Sequence, residues 1–472
     1  MPSLDPSDFN VVVTLLGGFI TVFGLVSYLI KERFFISAPL PALLFGVLVS
    51  HHGLGWVLPL VISNGSHETL EQINLNFSRV VLAVTLFLAG VGLPSKYVEK
   101  YWKSLAVLLG PVMTMMWMTS ALIIWALVPN LGFIAAMAIA ACVTPTDPVL
   151  SNSIVKGRFA ESHVPEDLQT IISAESGAND GLAYPFLFLA LYLIKYNTGH
   201  AIGQWVLEAW LYVVVLSIVL GIGIGYLARI SLSYATKKDC VDRESFFVHA
   251  ICLALFTMGL CGMIGTDDLL ACFVAGCTFT HDDWFKEKME KDSLQASVDM
   301  LLNLAMFMWI GAVIPWHEFR TNASGLTIWT LIAISVLVLC FRRLPAVWLL
   351  HKFIPAINGH RQALFTGFFG PIGVGAVFYL HITREFLLDV EGDEAERLSE
   401  IVRLVVWFLV VSSIFVHGLA IPVIEFGLDS HKDTPAIFHF SLTKFVRGLF
   451  GRNDRTIADA WEEGERGDGE HI

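Results

Sequence analysis

The sequence predicts an all-α polytopic membrane protein of about 13 transmembrane helices, arranged as two inverted repeats that each carry one broken helix. Three observations predict it. Hydrophobic residues make up 55% of the chain and charged residues only 15%, with a mean hydropathy of +0.66, where a soluble chain carries about 25% charged residues. Apolar runs of roughly 20 residues, the length a bilayer core demands, recur from one end to the other. Two of these runs, the fifth and the twelfth, are interrupted by proline and glycine. They stand seven spans apart, as inverted repeats around a central seventh span require, and such pairs mark the midplane site of a transporter.

In order, the spans cover residues 10–30, 38–62, 77–94, 104–128, 131–155, 168–194, 204–229, 245–264, 267–281, 298–315, 325–350, 361–380 and 400–427. The first follows an acidic start, with Asp5 and Asp8 and no basic n-region, and is expected to be a retained helix rather than a cleaved signal peptide. The fifth holds Thr144-Pro-Thr-Asp-Pro148 inside an apolar run. Pro145 and Pro148 remove backbone donors and disfavour helix at the residues before them, which predicts two half-helices with an unwound middle. The alternative is a proline kink or a loop between two shorter spans.

The sixth span carries Glu175-Ser-Gly-Ala-Asn-Asp-Gly181. Helical spacing sets Glu175 with Asn179 and Ser176 with Asp180 as i, i+4 neighbours, so Ser176 and Asp180 present two oxygens on one face. Gly177 and Gly181 allow close approach of another backbone. Glu175 lies near the basic end of the span and could snorkel; Asp180 has a dozen apolar-run residues beyond it and could not. The ninth span opens on Thr266-Asp267-Asp268, readable either as a helix N-cap or as an ion-binding pair. The eleventh holds Arg342-Arg343, one of which is a candidate partner for Glu175, because a lone buried carboxylate needs a counter-ion or a proton. In the twelfth, four glycines and Pro371 between Gly367 and Gly375 are poor helix material; tight helix contact is the alternative reading. His51, His52 and His249 read as loop or core residues, without zinc spacing.

Sidedness follows from the basic residues. One set of alternate connections carries Lys31, Arg33, Lys96, Lys100, Lys103, Lys156, Arg158, Arg229, Lys237, Lys238, Arg243, Lys286, Lys288, Lys291, Lys352 and Arg361; the other carries Lys195, Arg320, Arg384 and Arg397. Sixteen against four places the N-terminus outside and the C-terminus in the cytoplasm. The sequons at Asn64, Asn76 and Asn322 all fall on the external side. Residues 1–428 are therefore expected to form the transmembrane exchange domain and 429–472 a short cytoplasmic tail, polar and disordered near its end.

Other classes are excluded by composition. Thirty Lys and Arg against 42 Asp and Glu leave a net charge of −12, so no nucleic acid is expected as a partner. The 7 cysteines lie mostly in apolar runs without metal-ligand or disulfide spacing. No Gly-x-Ser-x-Gly or His-Glu-x-x-His motif is present, so neither enzymatic activity nor a cofactor is expected. A desolvated carboxylate must be neutralised, and a proton and a hard cation compete for that role. Presented alternately to the two sides, one such group suffices for cation/proton exchange, and Asp180 is the group expected to do it. Only there is a metal expected, as Na+ or Li+. Ser176 and the loosened carbonyls between Thr144 and Asp147 would supply further oxygens.

With Thr144-Pro-Thr-Asp-Pro148, Glu175-Ser-Gly-Ala-Asn-Asp-Gly181 and Gly265-Thr-Asp-Asp-Leu-Leu-Ala-Cys-Phe-Val-Ala-Gly276 in this order and spacing, residues 10–427 resemble the monovalent cation:proton antiporters of the sodium/proton exchanger superfamily. The resemblance is specifically to the fungal plasma-membrane Na+/H+ antiporter branch. It implies the bacterial sodium/proton antiporter-like fold, a homodimer in the lipid bilayer, and export of Na+ and Li+, in some members also K+, against H+. It implies that Asn179-Asp180 is the pair in which the aspartate binds cation and proton in turn, with Ser176 and Thr146 beside it. Thr144, Pro145, Thr146, Asp147 and Pro148 match the crossing of the broken helices, where Asp147 compensates helix ends. Glu175 with Arg342 or Arg343 matches a structural ion pair, and Asp267-Asp268 a second acidic pair that serves cation transport. The chain departs from the pattern at Leu86-Phe-Leu-Ala-Gly90, where some prokaryotic members place an acid, and at Phe368, where animal members commonly show arginine. The long tail of many fungal members is not expected here. K+/H+ exchange in an internal membrane and a passive cation channel are the other readings open at this point.

Overall fold

The protein, represented by a computed structural model, is described over residues 7–155, 164–289 and 294–429. The expected tail, and Lys156, Arg158 and Lys291 of the sidedness argument, lie outside the described residues. The principal helices are α1 (Asp8–Tyr28), α2 (Pro39–Val49), α3 (His67–Gly92), α4 (Trp102–Leu127), α5 (Phe133–Cys142), α6 (Pro148–Val155), α7 (Glu166–Lys195) and α8 (Thr198–Lys237). They continue as α9 (Arg243–Ile264), α10 (Asp268–Phe279), α11 (Leu294–Val313), α12 (Ile328–Phe341), α13 (Leu344–Leu350), α14 (Gly359–Phe368), α15 (Val374–Leu388) and α16 (Asp393–Asp429).

Local chemistry sets many of their ends. Ser66, Asp242, Asp267 and Thr327 each accept a backbone N–H three residues on, from Thr69, Ser245, Leu270 and Thr330, and so start α3, α9, α10 and α12. Gly265 ends α9 with φ +82°, a left-handed residue that glycine tolerates. Pro111 falls in a π-helical turn of α4, which absorbs its missing donor.

Among the described residues nine helices are individually long and apolar enough to cross a membrane. The remaining expected crossings are shorter or broken. The span expected over 38–62 is α2 alone, after which the chain leaves the helix at Ser50 and folds back so that Ser50 bridges to Val57. Hydropathy cannot separate a helix from an apolar loop folded against it. The span at 267–281 is the 12-residue α10, too short to cross alone.

Two groups of helices result. In one, α10 packs against α3, α8 and α9, and α2 against α11; in the other, α5 packs against α4 and the second half of α7, and α15 against α16. They meet where α3 touches α15 and α7 touches α10. Glycine permits the tightest of these approaches: a Cβ at Gly276 of α10 would collide with the Phe87 carbonyl of α3.

Candidate functional site

Both interrupted spans are broken, and the breaks meet. The chain is unwound at 143–147 between α5 and α6 and at 369–373 between α14 and α15. The Asp147 N–H donates to the Pro371 carbonyl at 2.9 Å, which locks one break to the other. The Asp147 carboxylate then caps both following half-helices, accepting from Leu150 N at 2.8 Å through Oδ1 and from Val374 N at 2.6 Å through Oδ2. Each helix N-terminus carries about half a positive charge, so a single buried anion satisfies two. Gly373 makes room for it, since a Cβ there would overlap that carboxylate.

The unwound carbonyls on the other side of each break are bound by Arg342, 2% exposed. Its Nη1 donates to the Val143 carbonyl, to Thr144 O at 3.3 Å and to Pro145 O at 3.4 Å, and its Nη2 donates to the Gly370 carbonyl. One cation thus binds the unwound carbonyls that follow α5 and α14, as one anion caps the N-terminal ends of α6 and α15. Arg343 is the residue that pairs with Glu175, bidentately, at 2.5 and 2.8 Å, and its Nε donates to Thr366 O at 3.0 Å.

Thr146, between the prolines, is held by α7. Asn179 Oδ1 accepts from Thr146 N at 3.2 Å and Asn179 Nδ2 donates to Thr146 Oγ1 at 2.8 Å. The Ser176 hydroxyl lies 3.0 Å from that of Thr146 and donates to Ser151 Oγ of α6 at 3.1 Å. Ser176 and Asn179 therefore spend their groups on the crossing. Thr144 donates its hydroxyl to Ala140 O at 2.7 Å, within its own helix end.

Asp180 stands apart in this network. It is 1% exposed, and neither carboxylate oxygen has a hydrogen-bond partner. Gly375 of α15 faces it, and a Cβ at that position would meet Oδ1. Asp147, Glu175, Arg342 and Arg343 at the crossing are each paired or bonded to backbone, whereas this carboxylate has no hydrogen-bond partner.

The second acidic pair divides. Asp267 caps α10 through Oδ1, 2.9 Å from Leu270 N, while its Oδ2 has no hydrogen-bond partner. Asp268 is paired at 2.5 Å with Arg79 of α3. The cap is thus seen at Asp267, while Asp268 is held by a protein cation. Elsewhere, Glu71 of α3 contacts His381 and Arg384 of α15, and Arg403 contacts Glu318. His51 and His52 are exposed turn residues with rings 3.5 Å apart.

Sequence reasoning did not single out Arg79, Ser151, Asp299 or Tyr379. Asp299 of α11 accepts from the Thr85 hydroxyl at 2.8 Å, and Tyr379 donates its hydroxyl to the backbone carbonyl of Asp180. Arg79 and Asp299 carried the usable signal, an ionisable residue in an apolar run. Ser151 and Tyr379 carried none, because a serine or a tyrosine in a membrane helix is ordinary.

A sodium/hydrogen exchanger transmembrane family model matches residues 18–426. The chain is 40% identical over 466 residues to a Saccharomyces cerevisiae protein named Na(+)/H(+) antiporter, covering 95% of this chain and 46% of that one. A Zygosaccharomyces rouxii protein named Na(+)/H(+) antiporter 2 is 39% identical, with 90% and 54% covered. The chain thus spans about half the length of these two relatives. A Schizosaccharomyces pombe Na(+)/H(+) antiporter is 34% identical over 433 residues, covering 89% of this chain and 91% of that one. The solved structure of the sodium proton antiporter MjNhaP1 from Methanocaldococcus jannaschii superposes with a TM-score of 0.65 at 17% identity, covering 94% of this chain and 100% of that one. That likeness establishes the fold.

Proposed function

The chain belongs to the sodium/hydrogen exchanger family, and from that premise we propose that it is a secondary active antiporter exchanging cytosolic Na+ for external H+ by alternating access. Asp180 binds cation and proton in turn. The observation that carries this reading is the Asp180 carboxylate, buried at the crossing with no donor to either oxygen. An uncompensated carboxylate at that depth is costly, by about 3 kcal/mol on insertion scales, and either a proton or a hard cation removes the charge. Because the two cannot be held together, delivery of one requires departure of the other.

Thr146, Ser176 and Asn179 keep the unwound segment beside the carboxylate, and its oxygens complete a shell that suits a small hard cation. Li+ and K+ are the further cations in this reading. The protein works as a homodimeric, multi-pass protein of the plasma membrane, with the N-terminus outside. Residues 1–428 form the exchanger and 429–472 its cytoplasmic tail.

Purified protein in proteoliposomes containing a pH-sensitive dye tests this. Imposed gradients of Na+ and Li+ are each expected to drive a counter-movement of protons, with K+ as the measured comparison. Cation conductance without proton movement would contradict exchange, and a response to K+ alone would reassign the cargo.

A further inference from the structure

Helix α7 does not run straight through the site. It breaks at Ala183, between the halves Glu166–Leu182 and Tyr184–Lys195. Pro185 has no N–H, so the Gly181 carbonyl four residues earlier lacks its i+4 helical donor and accepts instead from the Ala183 N–H. The Tyr379 hydroxyl of α15 donates to the Asp180 carbonyl beside it and lies 3.5 Å from that of Gly181.

Tyr379 is itself 1% exposed and firmly placed. Its own carbonyl accepts from the Thr383 hydroxyl at 2.7 Å, and that hydroxyl lies 3.2 Å from Cys142 Sγ at the end of α5. One turn before Tyr379 on the same helix, Gly375 leaves the space that the Asp180 carboxylate fills. Helix α15 therefore holds Asp180 at two points, its backbone by the phenol and its side chain by the absence of one.

We propose that Tyr379 is a positioning residue for exchange, its hydroxyl fixing the kinked backbone at Asp180 so that the carboxylate faces the space beside Gly375. This rests on the reading of Asp180 as the exchanging carboxylate. The hydroxyl does not touch the cation; it sets where the ligand points. It also ties Asp180 to the half-helix that begins at the crossing, so that the two shift as a unit.

The full chain carrying Tyr379→Phe tests this in proteoliposomes. Loss of one buried hydrogen bond corresponds to a rise of about three- to tenfold in half-saturating Na+. The maximal rate is expected to stay within about twofold, because the carboxylate is retained. In detergent, the Na+ concentration that raises Tm by a given amount should increase by the same factor, a readout that needs no transport. Pro185→Ala, which returns a donor to the Gly181 carbonyl and closes the kink, is also expected to raise half-saturating Na+. A wild-type value in either variant overturns the proposal, as does a fall in Tm and maximal rate with half-saturation unchanged. Asp180→Asn, run in parallel, separates the two claims. Transport surviving there removes the carboxylate reading itself, whereas a silent Asp180→Asn beside a wild-type Tyr379→Phe removes only the positioning role.

Discussion

Arg342 and Arg343 are consecutive, and both are buried, yet one holds four backbone carbonyls and the other a carboxylate. Breaking a buried ion pair from one side leaves an unpaired charge and is expected to destabilise by about 3–5 kcal/mol. Arg343→Met should therefore lower Tm in detergent substantially, and adding Glu175→Gln should restore part of the loss; no recovery in the double variant would show that the pair is not the cause. Arg342→Met strands carbonyls rather than a carboxylate, so Glu175→Gln should not rescue it. Both arginines and Glu175 were legible in the sequence as charges in apolar runs, but the partner was not. α12 ends at Phe341 and α13 starts at Leu344, so the two side chains leave a break, where helical periodicity no longer fixes direction. The choice is made by the Thr366 carbonyl of α14, which accepts from Arg343 Nε, a tertiary contact that no local pattern contains.

At the scale of elements, the paired breaks were legible because proline and glycine act locally on the backbone. The shortened α2 was not, because the apolar residues after Val49 read as helix by hydropathy. Gly375 shows the same mixture. Its conformational freedom marked a break, while its steric role against Asp180 appears only when α7 and α15 are packed together. Gly375→Ala places a methyl where the carboxylate lies and is expected to raise half-saturating Na+ more than it lowers Tm; an unchanged sodium titration would remove the steric role. Between α8 and the loop after α10, Arg229 binds Asp282 at 2.9 and 2.6 Å. Burial works against the Asp282 anion, but the hydrogen bonds and charge of Arg229 outweigh it and hold the carboxyl below its usual range. A depressed pKa contributes stability that is present above the ordinary carboxylate range and lost as pH falls through the lowered value. Asp282→Asn should thus lower Tm at neutral pH, with the difference from wild type closing on acidification through the carboxylate range; a gap that widens instead contradicts the pairing.

For the whole molecule, the proposed sidedness rests on the sorting of basic residues between alternate loops and on no contact, because insertion responds to loop charge and not to tertiary structure. Cys240, exposed between α8 and α9, offers a direct check. A membrane-impermeant maleimide is expected to label it only after permeabilisation, and labelling in intact cells would invert the topology. The meeting of the two groups of helices at α3 with α15 and at α7 with α10 was not readable, since it depends on which faces close together in space. It matters because Asp180 lies on α7, one of the helices that form that junction. Exchange as proposed turns on that carboxylate, and Asp180→Asn in proteoliposomes under an imposed Na+ gradient tests it most directly. Dye-reported, Na+-dependent proton movement should be abolished while yield and Tm remain those of the wild type; movement at the wild-type rate would contradict the account.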